Sequence, residues 1–460
     1  MQSIALAHED VLCNRLHAIG DARRMASTGG LVERFAPGPL GGNIMKNISA
    51  VAFMAAAMLG GVSIAQAADV EVIHWWTSGG EQAAVSVFAK EFDKTGDKWV
   101  DNAIALGETA RAAIMQRALG GDPPDAAQFN PGRQYEELIS AGLLLDLTPL
   151  AEKEGWDKFI RPAETVAPCK IDGKWWCVPV NIHMNNWAWA SIPAFKKAGL
   201  EVPSTWDEYI ADLPKLKDAG VIPFAIGGDG GGWQVSLMAN QLILAQLGAA
   251  NVEKIWKDKD LDLAGGPEVL KAFQTLKALG GYADPGSPNR SWSDTTSLVI
   301  SGEAALQVMG DWAQGEFQVA GQKPGVDYAC LLGPLLPDAK NVRIGGDIFV
   351  FFKQKDPDVE RAQLSLASMM VNPQVQAMFN TAKGSAPIRD DVDLSLANDC
   401  MKKAIEVLKQ PGAVVPDQNV WRNEAFATAQ NAIFSDLIYN ANTTPEAAQA
   451  QFVELLKNAE

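Results

Sequence analysis

Basic charge is in short supply. Lys plus Arg number 39 against 55 Asp plus Glu in 460 residues, a formal net charge of −16. That balance argues against nucleic acid, which wants basic patches, and against an anionic membrane surface. Histidine is scarcer still, with four in all, and His8 and His17 lie near the start. The five cysteines, Cys13, Cys169, Cys177, Cys330 and Cys400, contain no Cys-x-x-Cys. A metal site built on His and Cys is therefore not expected, and no cofactor is. The chain lacks Gly-x-x-x-x-Gly-Lys-Ser/Thr, Gly-x-Ser-x-Gly and His-Glu-x-x-His, so the usual short enzyme signatures are missing. Tyrosine is rare at 5, whereas tryptophan reaches 14. Hydrophobic residues at 47% and charged residues at 20% describe a folded soluble protein rather than a disordered one. The length suits two or three domains.

Residues 45–67 read MKNISAVAFMAAAMLGGVSIAQA. Met45-Lys46 is a short basic start, Ile48–Ala65 is uncharged and largely apolar, and Ala65-Gln66-Ala67 is a small-x-small cleavage pattern. This is the pattern of a secretory signal peptide, with a retained anchor as the alternative. Residues 1–44 then precede a signal and are expected to be a non-native extension, with translation starting at Met45. The mature chain would run from Ala68 to Glu460. Removing 1–67 takes away five basic and four acidic residues and leaves −17. The expected location is the periplasm, an oxidising compartment. Cys169 and Cys177 flank a stretch whose Asp172-Gly173 is a hairpin turn signal. Across such a hairpin the two sulfurs come within reach. Cys330 then pairs with Cys400 by elimination. Four buried free thiols are the alternative.

The mature start reads β-α-β-α-β. Val70–Trp75 is a strand; Ser78 and Glu81 make a capping box for a helix to about Phe92. A strand near 100–106, a helix near 111–119 and a strand over 125–129 follow. Strands alternating with helices make a parallel sheet with helices on both faces, and the length implies two such α/β lobes. Further helices are expected near 195–198, 206–218, 235–247, 268–279, 358–370 and 444–456. In open α/β sheets ligands bind beyond the carboxyl ends of the strands. Trp75 and Trp76 end strand one, and Gln128 and Asn130 end strand three, so all four belong on one crevice rim.

Adjacent strand residues face opposite ways, so at least one of Trp75 and Trp76 should face that crevice; burial of both under loops is the plainer reading. An indole face stacks on the apolar C–H face of a sugar ring, while charged and amide groups bond its hydroxyls. Trp233 follows a flexible Gly227–Gly232 loop, and Trp292 sits in SWSD; either could be an incidental core residue. Asp311, in Gly310-Asp311-Trp312, ends the apolar run 304–309 and can accept two hydroxyl bonds or cap the next helix. Asn181, His183 and Asn185 lie on a candidate crossing segment, although a lone His is more often a packed polar residue. No acid–base pair can be named from spacing, so a glycosidase reading has no dyad.

Together these pieces resemble the extracellular solute-binding proteins of carbohydrate ABC importers, closest to the glucose-type, aldose-binding branch. The residues that carry it are VEVIHWWTSGGE (70–81), GGDPPDAAQFNPG (120–132), AGLLLDLTPL (141–150), KIDGKWWCVPVNIHMNNWAW (170–189), PSTWDEY (203–209), VMGDWAQGE (308–316) and KGSAPIRDDV (383–392). The resemblance implies a two-lobed periplasmic-binding-protein fold with a hinge and a sugar cleft between the lobes. Both lobes are discontinuous, the expected division being 68–180 with 300–346 and 181–299 with 347–460. Trp75, Trp76, Glu81, Gln128, Asn130, Asp311 and Trp312 match family positions near the sugar, joined by Trp233, Trp292 and His183. Relatives place a basic side chain near 345–349 and 383–387, where this chain offers Asp347 and Lys383. The implied partners are a small aldose, glucose with mannose or galactose as options, and the permease subunits of an importer. A chemoreceptor stays an open possibility, and the chain is expected to be monomeric and not an enzyme. The same fold holding an oligosaccharide or polyol, or a secreted carbohydrate-active enzyme, are the alternatives.

Overall fold

The computed structural model describes residues 66–333 and 341–459. The extension 1–44 and residues 45–65 of the expected 45–67 signal lie outside the described residues. Strands carry the architecture: β1 (Asp69–His74), β2 (Lys98–Ala103), β3 (Ala126–Phe129), β4 (Lys170–Ile171), β5 (Lys174–Trp175), β6 (Val178–Pro179), β7 (His183–Met184), β8 (Trp187–Ser191), β9 (Ile222–Ala225), β10 (Ala304–Met309), β11 (Tyr328–Leu332), β12 (Val342–Gly345), β13 (Ile348–Phe351) and β14 (Val414–Pro416). The first sheet has the order β2-β1-β3-β13-β6 and the second β11-β8-β10-β9. A third, β14-β12-β7, lies beside the chain crossings, and β4-β5 is a hairpin. β1 runs parallel to β2 and β3, and β13 enters antiparallel, with Phe349 opposite Gln128. The expected β-α-β-α-β start is present, with helices Gly79–Asp93 and Gly107–Leu119 between the strands. The first of these is capped as read: Ser78 and Glu81 satisfy each other's backbone N–H groups.

The lobe boundaries differ from expectation. β10, expected in the first lobe, pairs with β8 and β9 in the second sheet. β13, expected in the second lobe, is a central strand of the first sheet. Helices Pro357–Met370 and Pro373–Lys383 pack on the Gly79–Asp93 helix, while Glu424–Tyr439 and Pro445–Lys457 pack on Trp233–Leu247 and Pro267–Gly280. The chain therefore crosses at 180–183, at 345–348 and again between 383 and 414. The physical reason is that β10 and β13 are both buried at every residue. Such runs look alike whichever sheet receives them.

Tryptophan abundance is in part a core property. Trp76, Trp156, Trp175, Trp187, Trp189 and Trp256 are less than 2% exposed. Trp187 and Trp189 sit on β8, where both faces of the sheet are covered, and Trp189 donates to the Met309 carbonyl at 3.1 Å. Among the described residues no helix is long and apolar enough to cross a membrane.

Both disulfides join the expected partners, with Cα atoms 5.0 Å apart for Cys169–Cys177 and 6.0 Å for Cys330–Cys400. The first staples the β4-β5 hairpin. The second ties β11 to the helix Asp399–Leu408 across a separation of 70 residues, against 8 for the first. By chain entropy alone, the long loop is worth about 4 kcal/mol and the short one roughly 2.5 kcal/mol. The double variant Cys330→Ser/Cys400→Ser should therefore lower the urea midpoint more than Cys169→Ser/Cys177→Ser. Equal midpoints for the two variants would refute the loop argument.

Candidate ligand-binding site

The strand ends build one wall. The Trp75 N–H donates to Gln128 Oε1 at 3.0 Å, and the Trp76 N–H to His74 Nδ1 at 3.2 Å. His74 is held in turn by Asp101, 2.8 Å from its Nε2. Trp76 is 1% exposed and packs against Phe349, Phe379 and the Lys383 ammonium, which lies 5.3 Å from its ring. Trp75 is half-buried, with the Arg111 guanidinium 5.5 Å from its ring. The two neighbours have split roles: Trp76 anchors the wall and Trp75 offers the freer indole.

The floor is a chain of buried charge. His183 sits between two carboxylates, Nδ1 at 2.6 Å from Asp311 Oδ1 and Nε2 at 2.8 Å from Asp347 Oδ2. These side chains are 7%, 3% and 5% exposed. Asn181 Nδ2 donates to Asp347 Oδ2 at 2.7 Å, and Gln128 Nε2 to Asp347 Oδ1 at 2.7 Å. The Met184 N–H donates to Asp311 Oδ2 at 3.0 Å. Burial alone would push the His183 pKa down, but the two aspartates more than offset it and raise it to about 9. For Asp347, burial pushes up while the His183 charge and hydrogen bond hold it down at about 2. Burial raises Asp311 despite the same cation. His183 is thus an imidazolium at neutral pH. Beside it Lys383 donates to Glu81 Oε1 at 3.1 Å, also buried.

A cavity of about 530 Å³ opens above this floor. Of the expected site residues, Trp75, Trp76, Glu81, Asn130, His183, Trp233, Trp292, Trp312, Asp347 and Lys383 line it. Gln128 and Asp311 do not: both are buried behind the wall, where their bonds hold Trp75, Asp347 and His183. A position at a strand end fixes the neighbourhood of a side chain but not its direction. Trp312 stands edge-on to His183 with centroids 4.8 Å apart and lies 6.1 Å from Trp233. Its ring folds over Gly310, where an added Cβ would meet the indole at 2.0 Å, so only glycine permits that approach. Gly232, with φ +83°, starts the Trp233 helix against Ser435 in the same manner.

Among the lining residues not read from the sequence are Arg111, Arg343, Asp417 and Glu424. Arg343 takes the place sought for a basic side chain. It lies on β12, buried, and donates to Asp417 Oδ2 at 2.8 Å, an oxygen that also accepts from Asn185 Nδ2 at 3.1 Å. A charged residue inside the apolar run Val342–Ile344 was the available signal. Lys353 points elsewhere and bonds the Gly142 carbonyl. Arg111 pairs with Glu424 at 2.6 Å, a contact 313 residues apart that no local pattern announces. Among the described residues no group of three or more His, Cys, Asp or Glu could hold a metal ion; the two aspartates bond the imidazole directly instead.

Residues 76–377 match the family model for bacterial extracellular solute-binding proteins. The chain belongs to that family. It is 38% identical over 369 residues to a "Probable sugar-binding periplasmic protein" of Brucella suis, covering 79% of this chain and 86% of that one. A protein of the same name in Rhizobium meliloti is 36% identical over 401 residues, covering 87% and 94%. Among solved structures, a chitin oligosaccharide binding protein superposes with a TM-score of 0.73 at 19% identity, over 85% of this chain and 99% of the other. At that identity the likeness speaks for the two-lobed fold alone.

The charged floor makes stability depend on pH. The folded-state pKa of His183 lies above its ordinary 6.5. Its contribution is therefore complete below pH 6.5 and is lost as pH rises through 9. At about 1.4 kcal/mol per pKa unit, the loss is on the order of 3 kcal/mol. Urea unfolding at pH 6.5 and pH 9.5 should show this fall in the native chain and a much smaller one in His183→Gln. Parallel pH dependence in both proteins would remove His183 as its source.

Proposed function

We propose that this chain is the periplasmic sugar-binding component of an ABC importer, exported through the signal at 45–67, and that it hands its ligand unaltered to permease subunits. The observation that carries the reading is the cavity wall: indoles from both lobes (Trp75, Trp76, Trp233, Trp292 and Trp312) surround a floor of paired charges. Aromatic faces suit the C–H faces of a sugar ring, and paired ions suit hydroxyls, each of which donates and accepts. The sugar-binding names of the relatives at 36–38% identity support it. The ligand proposed first is a glucose-like monosaccharide, on the strength of the single buried floor around His183. One observation favours a second reading, a disaccharide or short oligosaccharide. Roughly a dozen heavy atoms of a hexose, each given the ~30 Å³ share of a water, fill no more than ~360 Å³, and the cavity holds about 530 Å³.

Calorimetric titration of Ala68–Glu460 with aldohexoses and with their disaccharides tests both readings. Tighter binding of one aldohexose supports the first; a tenfold preference for a disaccharide replaces it with the second. No heat with any sugar, or sugar recovered chemically changed, overturns the binding-protein reading. Trp75→Ala should weaken binding by about 1–3 kcal/mol while the fold persists. Trp76→Ala should act chiefly on stability, by about 3–5 kcal/mol in urea unfolding, because that ring is core. Unchanged sugar affinity in Trp75→Ala would remove the stacking assignment.

A further inference from the structure

We propose that Glu424 is a positioning residue: acting through Arg111 and Gln134, it latches the mouth of the cavity and sets how long a bound ligand stays. Glu424 stands in the first turn of the helix Glu424–Tyr439, which packs in the second lobe. Its Oε1 accepts from Arg111 Nη2 at 2.6 Å and its Oε2 from Gln134 Nε2 at 2.6 Å. Arg111 belongs to the helix Gly107–Leu119 and Gln134 to the turn after β3, both in the first lobe. One carboxylate thus uses both oxygens to join the lobes. Backbone contact accompanies it: a Cβ on Gly132 would meet the Asn419 carbonyl oxygen at 2.1 Å. None of these residues lies on a crossing segment. Opening the lobes must therefore break this bridge, whereas the His183–Asp347 contact joins two crossing segments and need not open. Glu424 lines the cavity itself and also acts on it through Arg111, which lies over the Trp75 ring, with Gly107 backing the same indole. The bridge is ionic in an acidic setting, with Glu108 3.8 Å from Arg111 Nη2 and Asp229 also on the cavity wall.

Ligand enters the open form before the bridge closes and leaves only after it breaks. The bridge should therefore slow release, and because it also holds the empty lobes together its loss should raise kon as well as koff; salt should weaken it. The proposal rests on the sugar reading for its kinetic arm, so a second arm needs no sugar. Stopped-flow release of D-glucose, or of maltose if calorimetry favours it, should be roughly fivefold to tenfold faster in Glu424→Gln, as for a lost charge-assisted bond, with kon raised rather than lowered. Adding Arg111→Gln should cause little further change, because the two act as one pair. Raising salt should speed release in the native chain and not in Glu424→Gln. Spin labels at Leu119→Cys and Val326→Cys, exposed sites on the two lobes, should show longer inter-lobe distances in Glu424→Gln without sugar. Unchanged distances overturn the latch even if no sugar binds, a result that would separately sink the sugar reading. Longer distances with unchanged koff overturn its role in retention. Additive effects of the two substitutions would make both residues independent ligand contacts instead.

Discussion

An imidazolium held between two buried carboxylates organises this protein. A charge taken out of water must be paired and its remaining donors and acceptors filled, or it costs several kcal/mol. Here the two carboxylates arrive from different sheets: Asp311 just past β10, Asp347 just before β13. The cation between them sits on β7, where the chain has just crossed. The crossing strand cannot shift without leaving a buried ion unpaired. Asn181 and Gln128 complete Asp347, and Gln128 spends its oxygen on the Trp75 N–H. A continuous hydrogen-bonded path therefore runs from Asp311 through His183, Asp347 and Gln128 to the backbone that presents the freer indole.

That path explains what could be read from the chain and what could not. Features decided within a few residues were legible. The Ser78–Glu81 capping box, the Asp172-Gly173 hairpin with its disulfide, and the indoles at the end of β1 all follow from local rules. The position of His183 at a crossing was legible too, but its task was not. A lone histidine is ordinary until two aspartates 128 and 164 residues away close on it. The lobe boundaries failed for a related reason. β13 is an antiparallel strand inserted into an otherwise parallel sheet, and its Ile-Phe-Val-Phe run states only that both faces are buried.

Gln128 and Asp311 show how a strand-end argument can find the right place and assign the wrong role. Both lie where ligand contacts were expected, yet both point into the protein and act on residues that do reach the cavity. Trp76 is the intermediate case, a cavity wall that is also core, clamped by Phe349, Phe379 and Lys383. Tryptophan count alone separates none of these roles, since half-buried Trp75 and fully buried Trp187 belong to one composition.

The electrostatics of the cavity follow from the same pairing rule. The chain is strongly acidic, yet the cations on the wall are each committed: Arg111 to Glu424, Arg343 to Asp417, Lys383 to Glu81, and His183 to two aspartates. An anion entering would have to win one of these cations from a carboxylate already bound to it, and would face the carboxylates left behind. A neutral polyol faces no such exchange. Its hydroxyls can accept from guanidinium and ammonium hydrogens left over by the ion pairs and donate to carboxylate lone pairs that the pairs leave free. The charged wall thus suits a ligand without charge, because each cation in it has already been answered by a carboxylate of the protein.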